Sequence, residues 1–153
     1  MLARAILTAM HLVAAVGGDP DLVHLLRGYR DLDQRFLVHP VAAIATAPLV
    51  DALRLLEFAG ALLLAPALQR EAARSLERTS LDVREVGAAD VLVLTPAGPV
   101  ADLQLGRAIG SVLRQRLWDP RGARAVVVGA DLAARAAARE LGSLGVAHLT
   151  VLA

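Results

Sequence analysis

Arg124-Ala-Val-Val-Val-Gly129-Ala-Asp131-Leu-Ala-Ala134-Arg-Ala, followed at residues 148–153 by His-Leu-Thr-Val-Leu-Ala, is the stretch that decides the fold. A short β-branched run ends on glycine and turns straight into an alanine- and arginine-rich segment, after which a second apolar run returns. That succession of periods is a β-α-β unit. Toward the N-terminus the same alternation repeats, short apolar runs between segments of helical period, so the whole chain reads as an α/β fold with a parallel-type sheet.

The remaining elements follow from local signals. A first strand is predicted within 6–16, ending at Gly17-Gly18. Asp19 and Pro20 then supply an N-cap and a first-turn proline for a helix to about residue 30, with Leu22, Leu25, Leu26 and Tyr29 inward. A second strand spans 35–39 and is halted by Pro40. The next helix takes Thr46 as its cap, turns Leu49, Leu53 and Leu56 inward and closes at Gly60. Residues 61–65 are continuously apolar, as in a strand covered on both faces. A helix follows Pro66, with Arg70, Glu71, Arg74 and Glu77 on its solvated side. Two short runs, 81–86 and 90–94, precede a turn at 96–99 and a long helix over 101–117. Residues 118–122 (Trp-Asp-Pro-Arg-Gly) break the chain before the β-α-β unit. Two domains are expected, 1–100 and 101–153.

Composition narrows the function. The chain has 153 residues, 56% of them apolar and 20% charged, enough to bury a core and far from a disordered composition. Sixteen basic against 15 acidic side chains leave a net charge of +1, and aromatics amount to 3%, so neither a basic field nor a stacking platform for nucleic acid is present. Every basic residue is arginine; lysine, asparagine and cysteine are absent, which excludes lysine and thiol chemistry. The longest charge-free stretches fall short of the about 18 apolar residues of a spanning helix, so no membrane partner is expected. Arg4 ahead of an apolar run resembles a signal peptide, but His11 inside that run favours a core strand and a cytoplasmic protein. His11, His24, His39 and His148 lie on different elements without metal-ligand spacing, and no metal is expected.

The glycine turn Gly129-Ala130-Asp131-Leu-Ala-Ala134 has the form in which a dinucleotide places its pyrophosphate on a helix N-terminus. Gly129 allows the tight turn and Ala134 close packing, but Asp131 stands where the backbone approaches the phosphates. A carboxylate there caps the helix itself and repels the anion by about 1–4 kcal/mol at contact. A self-capped helix with no ligand is the simpler reading.

In this order the elements resemble the shikimate dehydrogenase family, an N-terminal α/β substrate domain followed by an NADP-binding Rossmann domain. Gly17-Gly18-Asp19-Pro20 is similar to the family's Ser-x-Ser-Pro, which holds the substrate carboxylate. Residues 60–68 (Gly-Ala-Leu-Leu-Leu-Ala-Pro-Ala-Leu) are similar to its Gly-x-Asn-Val-Thr-x-Pro-x-Lys, with asparagine, threonine and the catalytic lysine falling on Leu62, Leu64 and Leu68. Gly87-Ala88-Ala89-Asp90 resembles Gly-Ala-Val-Asn, placing Asp90 at the substrate-binding asparagine. From Gly98 the family's Gly-x-x-x-Gly-x-Asn-Thr-Asp sets Gln104 at the asparagine and Gly106 at the catalytic aspartate. Residues 126–137 resemble the family's dinucleotide turn, with Gly129, Ala130, Asp131 and Ala134 as the vestigial cofactor positions.

The resemblance implies NADP-dependent reduction of 3-dehydroshikimate to shikimate, in aromatic amino acid biosynthesis. Proton transfer, carboxylate binding and hydride supply are all affected by the replacements, and losing a proton-transfer group alone removes about 10²- to 10⁴-fold of rate. The expectation is therefore a degenerate, C-terminally truncated member with a partial Rossmann unit. It has no intact catalytic residue and no cofactor, or NADP if the activity survives. Asp90 and Asp102 are a strand-end and a helix-start carboxylate, or else an acid-base pair flanking the former cleft. Two valine- and leucine-rich strands with one helix leave sheet surface uncovered, for a second copy or another subunit to cover. The alternatives are an NADP-dependent oxidoreductase on a different cyclic hydroxy acid, or a small-molecule sensor using an apolar cleft around Leu62, Leu64 and Leu68.

Overall fold

The computed structural model describes residues 11–28 and 35–153. A five-stranded sheet is built from β1 (His11–Val16), β2 (Phe36–Val41), β3 (Gly60–Leu63), β4 (Val91–Thr95) and β5 (Gly98–Asp102), in the order β2-β1-β3-β4-β5. The first three strands are parallel, and β4 and β5 are added antiparallel. A second sheet pairs β6 (Arg124–Val128) with β7 (His148–Leu152) in parallel. The helices are α1 (Pro20–Arg27), α2 (Thr46–Leu55), α3 (Pro66–Ser75), α4 (Leu81–Val86), α5 (Leu105–Gln115) and α6 (Leu132–Ser143). This is the α/β architecture expected, and no helix among the described residues is long and apolar enough to cross a membrane.

The main core lies on one sheet face, where Ala14, Val16, Ala61, Leu63 and Leu92 meet Leu49 and Leu53 of α2 and Leu68 and Ala72 of α3. Leu132 and Ala136 of α6 belong to that same core. A smaller cluster of Ala15, Val23 and Val38, with Leu64 packed on it, occupies the other face.

Several local expectations are corrected. Among the described side chains of α1 Val23 is buried, packed with Ala15 and Val38, while Leu22 and Leu25 are exposed. Tyr29, residue 30 and the part of the first strand before His11 lie outside the described residues. Pro40 does not halt β2: the strand continues to Val41, which an edge position allows. Ala45, not Thr46, caps α2, and no side chain of its own does so; Glu71 Oε1 of α3 accepts from the Thr46 amide at 2.8 Å. Leu56 is the exposed C-cap rather than a core residue. Glu57, at φ 57°, turns the chain out of α2. Gly60 instead opens β3, where a Cβ would overlap the Leu92 carbonyl of the adjacent strand.

Residues 81–86 form a helix, with Ser80 at its start and Gly87 at φ 74° at its end, because the Ser80 hydroxyl takes the Val83 amide. The expected helix over 101–117 is shorter. Thr95 pairs with Gly98 around a Pro96-Ala97 turn, and residues 98–102 become β5, hydrogen-bonded to β4 and bridged on its other side to Thr79.

Candidate functional site

Of the positions singled out by the resemblance, Gly17, Asp19 and Leu64 follow the ends of β1 and β3, Asp90, Gln104 and Gly106 lie at the start of α5, and Gly129, Ala130, Asp131 and Ala134 lie at the turn into α6. Gly17, at φ 70°, leaves β1 so close to neighbouring chain that a Cβ would stand 2.7 Å from that of Ala65 and 3.0 Å from that of Ala43. Asp19 caps α1, its Oδ1 accepting from the Asp21 amide at 2.9 Å. Leu64 lies over Gly18, where a Cβ would overlap its side chain, and packs against the small cluster under α1. A leucine thus fills the position at which the family places a hydroxyl.

Leu62, Leu64 and Leu68 do not line one cleft, which corrects the sensor expectation. Strand alternation sends Leu62 to an apolar groove with Val13, Phe36 and Val91, while Leu68 is 4% exposed inside the main core on the opposite face. The polar group beside it is Gln69, whose Nε2 donates to the Leu63 carbonyl at 2.7 Å.

Asp90 is fully engaged by the start of α5: Oδ1 accepts from the Gln104 amide at 2.8 Å and Oδ2 from the Leu105 amide at 2.7 Å. Burial pushes its carboxyl above the ordinary range, against the pull of those amides, and nearby Asp102 adds to the rise. Asp102 goes the other way. Burial raises it, but hydrogen bonds from Ser80 and the Leu103 amide, with the Arg107 guanidinium at 3.5 Å, outweigh burial and hold it below the ordinary range. The two carboxylates are neighbours, with the Asp90 amide donating to the Asp102 carbonyl at 3.2 Å, yet both bind backbone at the helix start. Gln104, the N-cap of α5, donates its side-chain amide to Asp102.

Gly106 faces α6, and a Cβ there would stand 3.2 Å from the Ala136 carbonyl oxygen. Any side chain at that position would require α5 and α6 to part by a few tenths of an ångström.

At the glycine turn, Gly129 has φ 126° and donates its amide to the Leu152 carbonyl at 2.7 Å. Asp131 caps α6, its Oδ1 accepting from the Ala134 amide at 2.9 Å. Arg135, on the first turns of α6, donates to the Val86 carbonyl at 2.7 Å. A cavity of about 270 Å³ lies between this turn and the start of α3, lined among others by Pro66, Gln69, Arg70, Ala130, Asp131 and Arg135. A dinucleotide would need the helix-start amides free and the backbone open to an anion. With the Asp131 carboxylate on the Ala134 amide and its charge at the mouth of the turn, the residues present do not fit a pyrophosphate.

Sequence reasoning missed a polar cluster where α6 meets α4: Arg139 pairs with Asp82 at 2.8 Å and with Glu85 at 2.8 Å. Residues so far apart in the chain carry no spacing signal. Among the described residues no three His, Asp or Glu side chains converge as metal ligands would.

The five-stranded mixed sheet, the helix leaving it and the glycine-turn β-α-β unit define a shikimate dehydrogenase-like fold. A chorismate mutase/shikimate 5-dehydrogenase fusion from Clostridium acetobutylicum matches 93% of this chain and 54% of its own, with a TM-score of 0.78 and 16% identity. The 5-ketofructose reductase of Gluconobacter sp. strain CHM43 matches 95% of this chain and 53% of its own, TM-score 0.77, at 22% identity. Shikimate 5-dehydrogenase from Listeria monocytogenes, solved with shikimate and NAD, matches 99% of this chain and 54% of its own, TM-score 0.76, at 15% identity. The chain therefore spans about half the length of these structures. No family model and no curated protein matches it.

Proposed function

We propose that this chain is a catalytically silent protein on a shikimate dehydrogenase-like scaffold, acting as an oligomerising or regulatory module. The observation that carries this reading is the start of α5. Both oxygens of Asp90 are occupied by backbone amides, and the position of the catalytic aspartate is a glycine pressed against α6. Leu64 over Gly18 and Leu68 in the core support it, because no group at those places can bind a carboxylate or move a proton.

The test is turnover of 3-dehydroshikimate with NADPH by purified protein. No consumption above the protein-free rate is expected. Steady consumption with this or another cyclic substrate overturns the proposal in favour of an NADP-dependent oxidoreductase, a reading supported by Arg70 at the cavity beside the glycine turn.

The same proposal includes a partner surface. On the face of β6–β7 away from α6, Val126 is 64%, Val128 76% and Leu152 53% exposed. A second copy or another subunit would cover these aliphatic side chains.

A further inference from the structure

We infer that the β6–α6–β7 unit is a brace for the larger sheet and not a docking place for a dinucleotide. This goes beyond the loss of chemistry proposed above, since a catalytically silent protein could still bind a nucleotide.

Three kinds of contact hold α6. Its apolar face is continuous with the main core, where Leu132 and Ala136 are buried with the residues of β1 and β3. Its backbone approaches α5 at Gly106, and one turn on the Glu140 side chain reaches over Gly110. A Cβ at Gly106 would crowd the Ala136 carbonyl, and one at Gly110 would overlap the Glu140 carboxylate. Its polar edge is tied to α4, through Arg139 to Asp82 and Glu85 and through Arg135 to the Val86 carbonyl.

Three groups at the turn that a dinucleotide could use are already engaged with protein. The Ala134 amide is held by Asp131 and the Gly129 amide by the end of β7, while the first arginine of α6 reaches across to α4. Replacing the middle position of a glycine turn by a capping carboxylate exchanges an anion site for a self-sufficient helix start. A helix closed at its start and fixed along two sides no longer needs a ligand to set its position.

Native-state hydrogen exchange on the intact chain, run beside calorimetric titration with NADPH, tests this. In the wild type, α6 and β6 are expected to be protected to within about tenfold of β1 and β3, because they open with the same core. NADPH should give no heat and leave the exchange of residues 129–134 unchanged. Gly106→Val should lower protection of α6 and β6 by about 100-fold or more, while β1 and β3 stay within about tenfold of wild type. Arg139→Gln, which leaves the helix contact in place, should lower α6 protection by about tenfold and serves if the valine variant does not fold. Micromolar NADPH binding with new protection over 129–134 would overturn the inference. So would a wild-type α6 exchanging about 100-fold faster than β3, or an unchanged α6 in Arg139→Gln.

Discussion

Asp90 and Asp102 occupy adjacent places at one helix start and titrate in opposite directions, so they leave opposite marks on acid stability. Between the ordinary carboxylate value of 3.8 and the raised value of Asp90, the folded state holds more protons than the unfolded one. Stability attributable to Asp90 therefore declines as pH rises through that window. The contribution of Asp102 is present in full above 3.8 and is lost as pH falls through its lowered value. Urea unfolding followed between about pH 2 and 6 should show Asp102→Asn flattening the acid-side loss and Asp90→Asn steepening the rise. Identical profiles for both variants and wild type would contradict the assignment. Leu68 carries a second residue-scale expectation. Since it lies in the core, Leu68→Lys should restore no turnover and lower the unfolding free energy by about 3–5 kcal/mol, as an unpaired buried charge does. A lysine accommodated without loss would mean that the side chain reaches an open cleft.

The elements differ in how openly the sequence announces them. The β6–α6–β7 unit was legible because a β-branched run, a glycine and an aspartate cap follow one another without interruption. By contrast β5 is assembled from Gly98, Pro99 and Asp102, residues that favour turns, and becomes a strand only because β4 and Thr79 pair with its two sides. Helix α4 is too short for its period to be distinguished, and its identity rests on Ser80 and Gly87 at its ends. For the candidate site, the order of motifs located the positions, but what occupies them could not be foreseen. Leu64 over Gly18 and Asp90 under α5 are long-range contacts, and spacing along the chain says nothing about them.

At the scale of the molecule, the two sheets have unequal protection. The larger one is covered by α2 and α3 on one face and by α1 on part of the other, beside the groove at Leu62, and its β5 edge is bridged by Thr79, whereas the face of β6–β7 away from α6 presents valine and leucine to solvent. Sedimentation at high micromolar concentration should show association of the wild type, and Val128→Glu should weaken it, because a carboxylate would be carried into the covered face. A monodisperse wild-type monomer would remove self-association and leave another subunit as the occupant.

The carboxylate of Glu71 at the first amide of α2 has a consequence of a different kind. A ten-residue helix without a cap of its own borrows its starting signal from α3, across 25 positions of chain. Synthesised as a free peptide, residues 46–55 should show almost no helix in water, since a segment this short is marginal even with good signals. During folding, α2 would then be a late arrival, its ordering waiting on the placement of a neighbour that follows it in the chain.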